Sequence, residues 1–336
     1  MQQGKSSLKF TTEPQIIGLC SVVGKKEGEG PYGTLFDQVE NDPLFGTDTW
    51  EKAESAMQKR ALSCAIKDAG IRNKDIRYLF AGDLLGQLIA TSFGVIDLQI
   101  PFFGLYGACS TMGESLCLSA MCIDSQNANY CAAMASSHYA SAEKQFRFPL
   151  DYGNQRPFSS TWTVTGTGAV ILGHKNGYAK ITGATIGKII DFGVQDSMNM
   201  GAAMAPAACD TIVRHMKDFS RKPDYYDQII TGDLGIVGKK ILLDLLGDEQ
   251  IDISSNHMDC GIEIYNHEKQ DTHAGGSGCG CSAALLCAFI VKKLKRKEWK
   301  RVLFIPTGAL LSPTSFNEGQ SVPGIAHAVV LESPDE

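Results

Sequence analysis

The sequence predicts an α/β protein of five layers, αβαβα, with an internal pseudo-twofold duplication. The two halves are residues 1–176, which include Cys109, and residues 177–336. Three patterns of the first half return in the same order roughly 150–170 positions later, which indicates a duplication. Each half also contains a helix that is apolar on nearly all sides, so both helices are expected to lie between two sheets.

The elements of the first half follow from periodicity and from start and stop signals. A helix is predicted over 48–70, where Asp48 and Glu51 form the pattern of a capping box. The later predicted elements are a strand at 77–82, a helix that begins at Cys109, a strand at 129–137 and a Gly-rich strand at 165–173.

The second half repeats this order in three matched pairs. The pairs are "NKDIRYLFAGDLLG" (73–86) with "PDYYDQIITGDLG" (223–235), "GACSTMGESLCLSAM" (107–121) with "GGSGCGCSAALLCAF" (275–289), and "VTGTGAVILG" (164–173) with "VPGIAHAVVLE" (322–332). Any α/β protein repeats strand, loop and helix, but the shared Gly-Asp-Leu motif favours a duplication.

Composition excludes several classes of protein. The chain has 336 residues and a net charge of −6, with 43% hydrophobic and 20% charged residues, which does not indicate a nucleic-acid-binding protein. The first ten residues lack the apolar segment of a signal peptide, and the longest apolar run (281–291) is too short to cross a bilayer. The eleven cysteines predict free thiols in a reducing compartment. Cys279 and Cys281 lack a second pair at zinc-like spacing, so no metal site is predicted.

Cys109 has the position of a nucleophile. The run "YGACSTMGESLCLSAM" (106–121) places it where small residues give way to an apolar helical pattern. At the first turn of a helix, a thiol meets the positive end of the macrodipole and exposed N–H groups, which favour the thiolate. Acyl transfer also needs a base or cation near the sulfur and donors for an oxyanion.

These motifs resemble those of the thiolase superfamily, which includes the type III β-ketoacyl synthases. Cys109 lies where that superfamily has its acyl-accepting cysteine, and the Gly-rich strands near 165–173 and 318–332 resemble the strands that close its two halves. The resemblance covers nearly the whole chain. It implies the thiolase fold and a homodimer that pairs through the sheet of the first half.

The positions that would activate Cys109 depart from the superfamily pattern. Asp233 stands where thiolases and synthases have a His or Asn, and a carboxylate there would repel a thiolate. The loop "THAGGSGCG" (272–280) lacks the Gly-His-Pro and Asn-Thr-Ser patterns, although His273 precedes it. Residues 318–320 (Glu-Gly-Gln) replace the second cysteine of thiolases. We therefore expect no catalytic residue, and Cys109 is expected to be a degenerate nucleophile.

Five longer strings are similar to the stage V sporulation protein AD family of spore-forming bacteria. They are "KKEGEGPYGTLFD", "AGDLLGQLI", "GACSTMGESL", "SSHYASAEKQFRFP" and "QRPFSSTWTVTGTGAV". This resemblance implies that the chain binds dipicolinic acid for its uptake into the developing spore, beside membrane-embedded proteins of the same uptake system. It implies a location on the cytoplasmic face of the developing spore, peripheral to its inner membrane. The family is not known for acyl transfer.

Dipicolinate is a planar pyridine with two carboxylates, often accompanied by calcium. Such a ligand is bound by Arg, hydroxyl groups, backbone N–H groups and a flat apolar wall. No cofactor is expected other than a calcium ion that accompanies the ligand, for which Asp233 is a candidate oxygen ligand. The candidate ligand-binding residues are Cys109, Ser110, Ser137, His138, Arg147, Arg156, Asp233, His273 and Ser277.

Several of these residues also have a purely structural interpretation. The structural interpretations are ion pairs of Arg147 and Arg156 with Glu143 or Asp151, a helix cap for Ser110, a hydrogen-bonded histidine at His138, and loop amides held by Asp83 and Asp233.

Two other functions remain open. An acyltransferase or condensing enzyme would use Cys109 with CoA thioesters and would need a base, His273 or His138, within about 3–4 Å of the sulfur. A structural subunit would bind no small ligand, and then Arg147, Arg156, His138 and His273 would not converge on one pocket.

Two charged segments are open to more than one interpretation. The run "KKLKRKEWKR" (292–301) is typical of a solvated helix end, or of a patch for anionic lipid or a membrane partner. The segment 25–33 contains Lys and Gly but lacks the ending of a P-loop, and we predict a surface loop.

Overall fold

A computed structural model gives the fold and describes residues 1–147, 155–174 and 177–335. The strands of the first half are β1 (Gln2–Gln3), β2 (Ser7–Lys9), β3 (Gln15–Gly24), β4 (Gln38–Glu40), β5 (Tyr78–Gly82), β6 (Phe102–Gly104), β7 (Cys131–Ser137), β8 (Trp162–Thr163) and β9 (Gly166–Gly173). Its helices are α1 (Lys25–Gly28), α2 (Trp50–Asp68), α3 (Ile89–Val95), α4 (Thr111–Asp124) and α5 (Tyr139–Phe146).

The second half has the same alternation of strands and helices. Its strands are β10 (Ala179–Thr185), β11 (Gln228–Thr231), β12 (His257–Asp259), β13 (Gly276–Ser277), β14 (Arg301–Ile305), β15 (Thr307–Ala309), β16 (Gly324–Ala326) and β17 (Ala328–Glu332). Its helices are α6 (Met200–Phe219), α7 (Gly235–Asp248), α8 (Cys260–Glu263), α9 (His267–Gln270), α10 (Cys279–Leu285), α11 (Val291–Lys295) and α12 (Pro313–Asn317). A π-helical segment, Leu286–Ile290, joins α10 to α11.

The main sheet consists of two half-sheets with the same strand order. The path runs β12-β11-β14-β17-β10 in the second half and continues β3-β9-β7-β5-β6 in the first. In each half-sheet the three strands farthest from the junction are parallel, and the remaining pairings are antiparallel. Strands β10 and β3 join the half-sheets through two residue pairs. The predicted duplication is therefore visible in the topology, whereas the boundary at 176/177 adjoins undescribed residues and stays a prediction.

Alternate side chains of the strands pack on different layers. On β9, Val170 faces a core shared with α4 and α10, and Ile171 faces a core shared with α2. On β17, Leu331 faces the same central core, and Val330 faces a core shared with α6. Helices α4 and α10 thus lie between the half-sheets, while α2 and α6 cover the outside. This confirms the predicted five-layer αβαβα fold.

Two local predictions are wrong. Helix α2 begins at Trp50, and the N-cap is Thr49, whose side chain accepts the Lys52 N–H at 3.3 Å. Asp48 lies one residue outside that turn and forms an ion pair with Lys52 instead of a capping box. The predicted surface loop at 25–33 contains the short helix α1, and its Glu27 is 1% exposed.

All eleven cysteines are free thiols. The thiols of Cys279 and Cys281 donate to the carbonyl oxygens of Ala108 and Gly232, so both serve the packing of α10. Within residues 1–147, 155–174 and 177–335, no three His, Cys, Asp or Glu side chains are grouped so as to hold a metal ion. In the same ranges no helix is both long enough and apolar enough to cross a membrane.

Candidate functional site

A cavity of about 210 Å³ lies beside Cys109, and residues of both halves line it. We call it the Cys109 cavity. Its apolar wall includes Leu84, Tyr106, Phe146, Met198, Met200 and Leu311. Its polar side chains are Cys109, Glu143, Arg147, Thr163, Ser197, Ser277 and Ser312. Among the residues described, no histidine lines this cavity.

Cys109 lies in the turn before α4, and its thiol is hydrogen-bonded to the Asp233 carboxyl. Burial, followed by the charge of Asp233, raises the pKa of this thiol well above its ordinary value, and the nearby Gly278 N–H only partly opposes this shift. The prediction that the helix start favours the thiolate is therefore wrong. Removal from water and an adjacent carboxyl outweigh the macrodipole at this site.

Asp233 is fully buried, and the protein already satisfies its oxygens. Oδ1 accepts the Thr307 hydroxyl at 2.9 Å, and Oδ2 accepts the Gly278 N–H at 2.9 Å. Burial raises the pKa of Asp233 to about 7, although the hydrogen bonds from Cys109, Gly278 and Thr307 lower it. This agrees with the interpretation that Asp233 holds a loop amide. Its counterpart Asp83 does the same for the N–H groups of Leu85 and Thr91.

Arg147 and Ser277 are the other predicted residues that line the Cys109 cavity. The Arg147 guanidinium donates to Glu143 at 2.8 Å, across one turn of α5, and both side chains are largely buried. The Ser277 side chain is 1% exposed, and its hydroxyl has no hydrogen-bond partner within the part of the chain that the structure describes. The described residues thus give the cavity one cation, Arg147, which is paired with Glu143, and one unsatisfied hydroxyl, that of Ser277.

Three predicted residues form internal hydrogen bonds beside the cavity or away from it. Ser110 is the N-cap residue of α4, but its hydroxyl donates to the Gly107 carbonyl at 2.7 Å and makes no capping hydrogen bond. Ser137 donates to the Val164 carbonyl and accepts the Gly280 N–H at the start of α10. His138 caps α5: its Nδ1 accepts the Ala140 N–H at 3.2 Å, and its Nε2 donates to the Pro43 carbonyl at 2.8 Å. Burial lowers the pKa of His138.

Arg156 and His273 meet at Asp271 rather than at Cys109. Arg156 donates to the Asp271 carboxylate at 2.7 Å, and His273 Nε2 lies 3.2 Å from the other oxygen. His273 Nδ1 lies 3.0 Å from the Pro157 carbonyl. Arg147, Arg156, His138 and His273 therefore do not converge on one pocket, which is the arrangement expected of a structural subunit. Of these four residues, Arg147 alone lines the Cys109 cavity, so a ligand there would depend on Arg147 and Ser277. The predicted alternative partner Asp151 lies outside the described residues.

Several residues that shape the site were not predicted from the sequence. Thr307, which fixes Asp233, is the first residue of β15, and Met198 and Leu311 line the cavity from loops. No local pattern marks these residues, because they reach the cavity only through the packing of the second half. Phe146 could have been found, since it ends the amphipathic helix on which Glu143 and Arg147 lie four residues apart.

The chain matches a known protein family along nearly its whole length. Residues 4–332 match the family described as Stage V sporulation protein AD (SpoVAD). The Stage V sporulation protein AD of Bacillus subtilis (strain 168) is 43% identical over 329 residues, which cover 98% of this chain and 97% of that protein. The chain belongs to the stage V sporulation protein AD family. It is therefore a sporulation protein.

The fold of this SpoVAD family member is similar to that of thiolase-fold enzymes. OleA of Xanthomonas campestris has a TM-score of 0.60 at 12% identity, with 97% of this chain and 100% of that chain covered. The 3-oxoacyl-[acyl-carrier-protein] synthase III of Aquifex aeolicus has a TM-score of 0.55 at 12% identity, with 95% of this chain and 99% of that chain covered. Human mitochondrial 3-ketoacyl-CoA thiolase has a TM-score of 0.57 at 11% identity, with 97% of this chain and 99% of that chain covered. These similarities confirm the predicted thiolase fold.

Proposed function

We propose that this chain binds dipicolinate in the Cys109 cavity for its uptake into the developing spore, and that it performs no acyl transfer. The ligand class is implied by the resemblance to the stage V sporulation protein AD family. The observation that carries the proposal is that Cys109 faces a buried carboxyl, Asp233, in a cavity that keeps an arginine and a free hydroxyl.

The surroundings of Cys109 disfavour covalent catalysis. The thiolate is the nucleophilic form of cysteine, and both burial and Asp233 disfavour that form. The Gly278 N–H, a potential oxyanion donor, is hydrogen-bonded to Asp233 Oδ2. A tetrahedral intermediate would thus meet a carboxyl where it needs donors.

The same cavity suits a flat dicarboxylate. Arg147 Nη1 is bonded to Glu143, which leaves other N–H groups of the guanidinium for a carboxylate. Ser277 offers a hydroxyl that gains its missing hydrogen bond when a ligand oxygen enters. The Phe146 side chain and the neighbouring Leu and Met side chains provide an apolar wall for the pyridine ring.

A calcium ion that enters with dipicolinate would be held by the ligand and by water rather than by Asp233. The Asp233 oxygens accept hydrogen bonds from Thr307, Gly278 and Cys109, and each such bond competes with a metal. No further metal or cofactor is proposed.

The first test is calorimetric titration with dipicolinate, with and without Ca²⁺, and with acetyl-CoA in parallel. We expect saturable dipicolinate binding and no acetyl-CoA signal. Ser277→Ala and the charge-neutral pair Glu143→Gln/Arg147→Gln should weaken dipicolinate binding by about tenfold or more, because buried charged hydrogen bonds are lost. Arg72→Gln, whose exposed side chain pairs with Asp75 and does not line the Cys109 cavity, is the matched control and should bind like the parent.

Two outcomes would reject the proposal. Turnover of acetyl-CoA, or a covalent acyl group on Cys109 detected by mass spectrometry, would show that the acyltransferase chemistry has survived. A flat dipicolinate titration for a folded protein would leave the structural subunit as the better explanation.

We also propose that the protein forms a homodimer and acts at the cytoplasmic face of the developing spore, peripheral to the inner membrane, with membrane-embedded proteins of the same uptake system. No nucleic-acid partner is proposed. Strand β6 ends the sheet path, and its Phe103 is 51% exposed; Phe93 and Ile96, in the segment that precedes β6 in sequence, are 64% and 56% exposed. An unpaired edge beside exposed apolar side chains supports a second copy as the partner there.

A further inference from the structure

A second cavity of about 430 Å³ lies on the first half, and it shares no lining residue with the Cys109 cavity. We call it the Trp50–Trp162 cavity; α1, the start of α2, the start of α5 and β8 line it. Helix α5 contributes to both cavities, since His138 and Tyr139 line this one and Phe146 and Arg147 line the other. The two cavities are therefore distinct sites, and substitutions at one can be tested without altering the lining of the other.

The floor of this cavity contains a buried carboxyl with an unsatisfied oxygen. Glu27 is 1% exposed, and its Oε1 accepts the Thr165 N–H at 3.0 Å and the Tyr265 hydroxyl. Its Oε2 has no hydrogen-bond partner among the residues described. Since a buried polar atom without a partner is unfavourable, a ligand that supplies the missing hydrogen bond would bind preferentially here.

The wall of the cavity combines aromatic rings with lysines. Trp162 stacks on Tyr139 with 4.0 Å between ring centres, and Lys26 Nζ lies 4.3 Å from the Trp162 ring centre. The Trp50 ring lies 5.7 Å from His138. Lys26 donates to the Gln270 carbonyl at 2.6 Å, and in the described ranges it has no carboxylate within ion-pair distance. Lys25 lies beside it, paired with Glu29 at 3.8 Å on the exposed surface.

These groups favour an anion over a cation. Two ammonium groups repel a cationic ligand, and the aromatic position that a ligand cation would use is already occupied by Lys26. Burial raises the pKa of Glu27, which favours the protonated carboxyl, and the protonated form can donate from Oε2 to a ligand oxygen. A carboxylate or phosphate then finds donors on Lys25, Lys26 and Glu27.

We propose that the Trp50–Trp162 cavity is a second small-molecule site, which binds an aromatic acid through its carboxylate or phosphate at Lys26 and Glu27, with its ring against Trp50. Two sources have this chemistry, the pyridine dicarboxylate itself and a nucleotide. The charges and ring walls are common to both, so the two are distinguished by titration.

Tryptophan fluorescence reports on this cavity directly. The chain has three tryptophans, of which Trp50 and Trp162 line the cavity and Trp299 packs on Phe289 elsewhere. In a Trp299→Phe background, the remaining emission therefore comes from the cavity. This protein is titrated with dipicolinate and, separately, with adenosine 5′-phosphate, and far-UV circular dichroism and melting temperature verify folding of each variant.

We expect one of the two probes to change the emission saturably. Lys26→Gln should weaken this response by about tenfold, whereas Glu143→Gln/Arg147→Gln, at the Cys109 cavity, should leave it unchanged. In Glu27→Gln the amide nitrogen replaces Oε2 as a hydrogen-bond donor, so this variant should retain binding. Glu27→Leu has no donor there and should lose binding. Absence of a saturable response to either probe would overturn the proposal, as would a response that survives Lys26→Gln. A response lost only in Glu143→Gln/Arg147→Gln would assign the signal to the Cys109 cavity and also overturn it.

Discussion

At the scale of residues, the contact between Cys109 and Asp233 determines the chemistry of the site. An imidazole beside a thiol removes its proton and leaves an ion pair, whereas a buried carboxyl beside a thiol makes two neighbouring negative charges unfavourable. The structure shows the consequence for the thiol: burial raises both pKa values, and the charge of Asp233 raises the pKa of Cys109 further, while the thiol's hydrogen bond lowers the pKa of Asp233. The pair is therefore most stable when both groups are protonated.

This pair predicts a pH dependence of stability. Burial raises the pKa of Asp233 from 3.8 to about 7. The contribution of the protonated carboxyl to the free energy of unfolding is therefore fully present below about pH 4 and is lost as the pH rises through about 7. Asp233→Asn removes this pH dependence. Between pH 4 and pH 8, the free energy of unfolding of the variant should therefore rise relative to that of the parent by up to about 4 kcal/mol. Urea denaturation at both pH values measures it.

The matched control for this measurement is Asp97→Asn, whose side chain is 69% exposed. It should show no comparable change between the two pH values. An Asp233→Asn variant that parallels the parent at both pH values would contradict the assignment of the raised pKa to this carboxyl.

At the scale of elements, α10 lies against β9 at a distance that only glycine allows. A Cβ on Gly168 would overlap the backbone carbonyl of Ala283, and one on Gly280 would overlap the carbonyl of Gly166. The α10 backbone thus rests directly on the strand. This contact brings the start of the helix, with Gly278, to the Cys109 cavity.

Gly168→Ala should therefore destabilise the protein by about 1–3 kcal/mol or more, because a backbone overlap cannot be relieved by a side-chain rotation. Gly247→Ala is the matched control, because a methyl group on this helical glycine of α7 would have no atom within 4 Å. It should be neutral or gain about 0.5–1 kcal/mol. The midpoints of urea denaturation compare the two, and equal effects would contradict the packing argument.

The sequence could predict the secondary-structure elements and the contacts within one helical turn, but not the contacts between residues far apart in the chain. The fold was predictable because the duplication repeats local signals, such as the strand that ends in Gly-Asp-Leu at Asp83 and Asp233. The ion pair of Glu143 and Arg147 was within reach because it spans one helical turn. The pairing of Arg156 with Asp271 was not, because 115 residues separate the two and only the tertiary fold brings them together.

The same limit explains the error at Glu27. Its neighbours are charged or glycine, so the local pattern indicates a solvated loop. Its burial arises from Thr165 and Tyr265, which are more than a hundred residues away in sequence. Only the assembly of the two halves creates that environment.

At the scale of the whole molecule, the two half-sheets form one path whose ends differ in their surroundings. The described residues give β6 a single partner strand, β5, and Phe103 on β6 is 51% exposed. A strand edge of this kind is a template for pairing with a second copy. The proposed homodimer would cover this edge and the apolar side chains next to it.

Substitution at this edge tests the proposed dimer. The parent should have twice the chain mass of 36.3 kDa in sedimentation equilibrium, and Phe103→Glu should shift it to the monomer mass, because a charge would be buried in the interface. Phe192→Glu, at a side chain that is 67% exposed in the second half, is the control and should remain dimeric. If Phe103→Glu keeps the parent's mass while Phe192→Glu dissociates, the interface lies on the second half and the β6 edge has another role.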